Sequence, residues 1–314
     1  MLTRRLIRIK VFQCLYGATV GNTIDQSYSG LVGKLHQSVQ GFYETFQAVL
    51  LLPLSCKQFL QNYLNPSEEK YIIDDLSVKT YESFTQNPIL LDLENQTIAR
   101  EFFNSPSIQW LSYETLLRDI YKEYIKGKIG NSIDILNPQW PFFYQMICDF
   151  FDFILNGNAS FDQIMESERI QWYDEKVSVK KMIQNAIKTY KSPKPKFNLK
   201  SNKDNILREQ DFGDLLLEKA LLDYASIQDL IDQQTSKWEL ERIAKVDKIL
   251  MTLALVEMIY FPDIPLKVSI NEYIDIAKDY STKDSGKFVN GILDKVKNYL
   301  IQEGKLNKTG RGLQ

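Results

Sequence analysis

Residues 239–260 read ELERIAKVDKILMTLALVEMIY, and the spacing within them decides the fold class. Leu240, Ile243, Val246, Leu250 and Leu253 recur every three or four positions, the period of one face of an α-helix. Glu257 falls on that same face in the last turn, an acid where the pattern asks for an apolar residue. Pro262 and Pro265 stop the helix, since proline has no N–H to continue it. Downstream, Ser269-Ile-Asn-Glu272 reads as a capping box that opens another helix, and Ser281-Thr-Lys-Asp284 as one that opens the last. In that last helix Phe288, Ile292 and Val296, flanked by Val289, Leu293 and Leu300, form a wide apolar stripe.

The same period runs upstream. Helices are expected over about 212–224 and 227–234, over about 113–126, and from about Asp25 to Leu51, where Pro53 ends the run. Residues 65–110 break into short pieces at Pro66, Asn87-Pro88 and Asn104-Ser105-Pro106. The most aromatic stretch is 140–155, in which Phe143, Ile147, Phe150 and Ile154 have the spacing of a buried helix face. A base-stacking platform is the alternative, but the stretch offers no cation to hold a phosphate backbone. Residues 188–203 hold six lysines, Pro193, Pro195 and no acid, the composition of an exposed linker that could also touch a polyanion. No sustained two-residue alternation with hairpin turns appears. The chain therefore reads as all-α, with an N-terminal helical bundle and expanded insert over 1–204 and a C-terminal bundle over 205–314.

Composition narrows the function classes. Lys+Arg number 38 against Asp+Glu 40, so any affinity for nucleic acid must come from where charges sit rather than from their sum. Cys14, Cys56 and Cys148 are odd in number and far apart, which suits a reducing compartment and draws no disulfide framework or metal motif. His36, the single histidine, reads as an ordinary helix residue. No phosphate-binding loop, dinucleotide fingerprint, nucleophile elbow or zinc-protease motif occurs. Asp74-Asp75 and Glu68-Glu69 read as loop and surface charge. The expectation is a cytoplasmic, non-enzymatic protein with no membrane span, cofactor or metal.

Two constellations carry functional signal. Arg4-Arg5-x-x-Arg8-x-Lys10 clusters four cations with no acid before Asp25, with the arginines expected on an exposed helix side, which reads equally as a surface whose guanidinium groups clamp phosphates and stack on bases or as a solvated helix face. The second is Pro265-Leu-Lys-Val-Ser-Ile-Asn-Glu272, followed by Ala277-Lys-Asp-Tyr280 and Lys287-Phe-Val-Asn-Gly-Ile-Leu-Asp294. In that order and spacing these segments resemble the transcription antitermination factor NusB family. Trp238-x-x-Glu241-Arg242-Ile243, leading to Ala254-Leu255-x-Glu257, is similar to the family's central helix, and the arginine-rich start through Gln13-x-Leu15-Tyr16 to its first helix. The likeness covers roughly 3–18 and 236–300, and the long middle carries no motif.

The resemblance implies two helical bundles of the NusB type with a large helical insert. It also implies binding of boxA-type RNA in ribosomal RNA leaders jointly with a NusE-type small-subunit ribosomal protein, within an RNA polymerase antitermination complex that promotes read-through. The positions implied for RNA are Arg4, Arg5, Arg8, Gln13, Tyr16, Asp284, Lys287 and Phe288, and Glu241 for the partner. Gly286 stands where a larger side chain is common, and Leu6 interrupts the family's denser arginine run. Asn271, Asn290 and Gly291 read as structural, Gly291 by permitting close helix approach. The alternative function is a helical protein-docking module with no direct RNA binding.

Overall fold

The computed structural model describes residues 4–21, 28–63, 75–191, 199–235 and 243–309. Among these there is no strand, and no helix is long and apolar enough to cross a membrane. The chain divides into two compact units, Gln40–Asp204 and Leu2–Val39 with Asn205–Gln314. The boundary falls at 204/205, and residues 2–39 group with the C-terminal part.

The Gln40–Asp204 unit begins inside α2 (Tyr28–Tyr63). Pro53 does not end this helix but sits within it. Proline removes one backbone hydrogen bond, yet Ala48 through Leu52 are wholly buried around it, so packing overrides local preference. The Ala48 carbonyl also accepts a hydrogen bond from Trp110 Nε1 at 2.8 Å. Short helices follow: α3 (Asp75–Thr85), α4 (Pro88–Asn95) and α5 (Thr97–Asn104). Asn87 caps α4 through its side chain, with Pro88 in the first turn, where its missing N–H has no cost. Then α6 (Glu114–Asp119) widens into a π-helical stretch, Ile120–Ile129. The aromatic segment forms α7 (Trp140–Leu155), and Ile147, Phe150 and Ile154 are core. After α8 (Ala159–Glu168) comes α9 (Trp172–Lys188), with Trp172, Val179 and Ile183 inward. Of the expected linker, 192–198 lies outside the described residues. Lys188 belongs to α9, and residues from Leu199 onward are helical.

The other unit is built around a central helix. It holds α1 (Arg4–Val20), the start of α2, most of α10 (Leu199–Leu222), α11 (Tyr224–Gln233), α12 (Lys245–Tyr260), α13 (Leu266–Tyr280) and α14 (Ser285–Gln302). From Ile249 to Met258 every residue of α12 is buried, so it is enclosed on all sides by α1, α11, α13 and α14. Its start is Lys245, not Glu239, since Ile243 and Ala244 precede the helix. At Gly213 of α10 an added Cβ would lie 2.8 Å from Ile7 Cγ2, so only glycine lets α10 approach α1 this closely.

Both capping boxes are displaced. Helix α13 opens at Leu266 behind Pro265, which leaves Ser269 in its second turn. Helix α14 opens at Ser285, and Ser281 closes α13 instead. The reciprocal bond is made by Ser285, whose Oγ accepts from the Thr282 N–H at 3.2 Å. Asn271, Asn290 and Gly291 face solvent, and nothing lies near a Cβ built at Gly291, so it mediates no helix approach. Gly286 is the buried one: a Cβ there would meet Lys278 Cγ at 3.1 Å.

Candidate functional site

The four cations of α1 divide into two buried and two paired at the surface. Arg8 is 3 % exposed and bonds Glu257 through both ends of its guanidinium, Nε to Oε2 at 2.7 Å and Nη2 to Oε1 at 2.8 Å. Glu257, fully buried, also accepts from Ser269 Oγ at 2.7 Å and from the Tyr273 hydroxyl at 3.3 Å. This explains both sequence anomalies at once: the acid on the apolar face of α12 and the serine of the supposed capping box serve one buried network. Burial works against charge on Arg8, but the hydrogen bonds and Coulomb attraction of Glu257 more than offset it and raise the guanidinium above its ordinary pKa. Burial, then Glu257, pushes the Tyr273 hydroxyl well up, so it remains a neutral donor. Arg8 therefore does not stand on an exposed side and does not present its charge to a ligand. Lys10 is likewise buried.

Arg5 is partly exposed and faces a row of acids on α13. Its Nη2 donates to Asp279 Oδ2 at 3.0 Å, and Nη1 lies 3.9 Å from both Glu272 and Asp275. Positions 272, 275 and 279 share one side of α13 by their spacing. Glu272 also lies 3.6 Å from Arg8 Nη1 and so sits between the two guanidinium groups. Arg4, half-exposed, donates from Nε to Glu209 at 3.2 Å and lies over the Phe212 ring at 5.2 Å. The surface arginines are thus both engaged by the protein's own carboxylates.

The far end of α1 and the turn between α13 and α14 form a second neighbourhood. Tyr16 is exposed and its ring lies 5.9 Å from Phe12, which packs edge-on against Tyr280 at 5.3 Å. Tyr280 leads into the Ser281–Asp284 turn. Beneath that turn Ser285 Oγ lies 2.9 Å from buried Asp247 Oδ2 and 2.8 Å from Thr282 Oγ1, which fixes the loop on α12. Above it Lys283, Asp284 and Lys287 are exposed and Phe288 is half-buried. Among the described residues neither Lys283 nor Lys287 meets an acid within ion-pair distance. Gln13 is half-buried on α1, and Glu241 lies outside the described residues. The structure brings Tyr16 toward the start of α14 through Phe12 and Tyr280, but separates Arg8 from any surface. Lys283, not singled out for RNA from sequence, is the added cation. Its signal was its place in the turn itself, four residues before Lys287. Among the described residues no cluster of His, Cys, Asp and Glu could hold a metal.

Comparison with known proteins supplies the family. The NusB family model matches residues 172–298. Proteins named transcription antitermination protein NusB match from three bacteria. That of Alkaliphilus oremlandii is 41% identical over 97 residues, 31% of this chain and 68% of its own length. The chain belongs to the NusB family. The counterpart in Chloroherpeton thalassium is 46% identical over 107 residues, 34% of this chain and 51% of that protein. The one in Salinibacter ruber is 42% identical over 104 residues, 33% and 65%. This chain thus spans between half and two thirds of the length of those two NusB relatives. No solved structure matches it. The NusB match contains α12, α13 and the turn into α14, whereas α1 lies outside it, so the likeness of α1 rests on its arginine spacing.

Proposed function

We propose that this protein is a cytoplasmic, non-enzymatic transcription antitermination factor that binds boxA-type RNA of ribosomal RNA leaders together with a NusE-type small-subunit ribosomal protein. The RNA would lie across the α13–α14 turn and the end of α1. The observation that carries this reading is the pair of exposed lysines, Lys283 and Lys287, with no acid at ion-pair distance among the described residues and held on a turn pinned to α12, with Phe288 and Tyr16 nearby. Unpaired ammonium groups attract phosphates without first breaking an internal ion pair, and partly exposed rings offer faces to unstacked bases. Arg4 and Arg5 would join at the margin, weakened by their acids. Glu241 is retained as the proposed partner contact on sequence resemblance alone.

The test is a gel shift with a boxA-like RNA, with and without the NusE-type ribosomal protein. Lys283→Gln with Lys287→Gln should weaken binding and lower the log–log salt slope by about 1.4, near 0.7 for each single-strand phosphate that the variant leaves unneutralised. Unchanged affinity and slope would leave a protein-docking module as the better reading.

A further inference from the structure

Helix α9, in the Gln40–Asp204 unit, carries a surface that the family reading does not use. Most large apolar residues of that unit are packed away, yet Ile170 is 97% exposed, Tyr173 87% and Val177 76%. At 100° per residue, Tyr173, Val177, Lys181, Gln184 and Lys188 fall within one narrow side of the helix. Lys181, Gln184 and Lys188 are exposed, as is Lys191 just beyond the helix end. Among the described residues none of these three lysines meets an acid within ion-pair distance. By contrast, Lys176 on the flank is neutralised by Asp162 at 2.6 Å. The sequence holds no acid from Lys176 to Lys203 and nine lysines. In a chain of net charge −2 this is a strong local segregation.

We propose that this side of α9 is a second, sequence-tolerant site for single-stranded RNA. Tyr173, flanked by Ile170 and Val177, supplies a stacking shelf for a base. Lys181, about 12 Å along the helix, and Lys188, about 10 Å further, follow the phosphates at 1.5 Å of rise per residue. The composition favours nucleic acid over a protein partner. Lysine is depleted in protein–protein interfaces, where arginine and several aromatics dominate, whereas rows of cations with an interleaved ring are the usual means of tracking a single strand. The site shares no residue with the α13–α14 turn and does not depend on that reading.

The experiment is fluorescence anisotropy of labelled twelve-nucleotide oligo(U) and oligo(A), neither containing boxA, titrated with the full chain across a salt series. Lys181→Gln, Lys188→Gln and Lys191→Gln combined should weaken binding at least fivefold and reduce the salt slope by about 2. Tyr173→Ala alone should weaken it about fivefold or more with the slope unchanged, as expected when a base is left without its stacking partner. All four positions are exposed, so thermal melting should match that of the parent. Lys283→Gln with Lys287→Gln is the cross-check: it should reduce boxA binding while leaving most of the oligo(U) binding, so the two sites can fail separately. Unchanged affinity in the lysine variant, or in Tyr173→Ala, overturns the proposal. Competition by polyglutamate as potent as by RNA overturns it in favour of an acidic protein partner.

Discussion

The two basic ends of the same helical unit, α1 and the start of α14, look alike in sequence and behave in opposite ways. Helix α1 holds four cations within seven residues, but two are buried and the other two are matched by carboxylates on α10 and α13. The α14 turn holds only Lys283 and Lys287, and both remain open to solvent. Formal charge is therefore a poor measure of available charge. What a phosphate meets is the charge left over after the fold has satisfied its own.

The comparison breaks most visibly at Arg8. Arg8→Ala removes one partner of a buried pair and strands Glu257, so thermal or urea unfolding should show a loss of about 3–5 kcal/mol. Replacing both residues with apolar ones of similar size, Arg8→Met with Glu257→Leu, should recover most of it. If Arg8→Ala melted like the parent while weakening RNA binding, Arg8 would be a ligand residue after all. The row of acids gives a smaller effect. Asp275→Asn with Asp279→Asn leaves Arg5 only Glu272 among the described acids, at 3.9 Å, and should tighten boxA binding about two- to fivefold at low salt, fading as salt rises, the scale of an exposed ion pair. Equal affinity at every salt concentration would remove Arg5 from the RNA margin. The smallest effect belongs to Asp284, exposed at the start of α14. Asp284→Asn should cost less than about 1 kcal/mol of stability and slightly tighten RNA binding at low salt. Weaker binding at all salt concentrations would mean that this carboxylate accepts a hydrogen bond from the RNA.

Much of the helical order was legible because burial imposes a 3.6-residue period on the chain. The apolar faces of α7 and α14 followed from it directly, whereas α12 is buried on all sides from Ile249 to Met258 and not on one face alone. Local rules failed where distant packing took over. Pro53 looked like a stop, but its helix is enclosed by its own unit's core. Ser269-x-x-Glu272 had the letters of a capping box, yet Ser269 serves a carboxylate on another helix and Glu272 lies between two arginines. Gly291 suggested close packing, which falls instead at Gly213 and Gly286. At the candidate site, Lys287 and Tyr16 could be picked from motif resemblance. The burial of Arg8 could not be, because its partner stands 249 positions away and no local pattern links them.

That separation has a consequence for the order in which the protein is made. Helix α1 leaves the ribosome ahead of α2 through α14, yet the acid that neutralises its buried arginine is synthesised 249 residues later. At the ~5–20 residues per second of protein synthesis, this is a wait of about 12–50 s. Throughout it α1 has a charged group it can bury only unfavourably, so it stays hydrated and unplaced. The Gln40–Asp204 unit emerges within that interval, and its internal contacts are all available to it. The helix that is made before the others is thus among the last to be set in position.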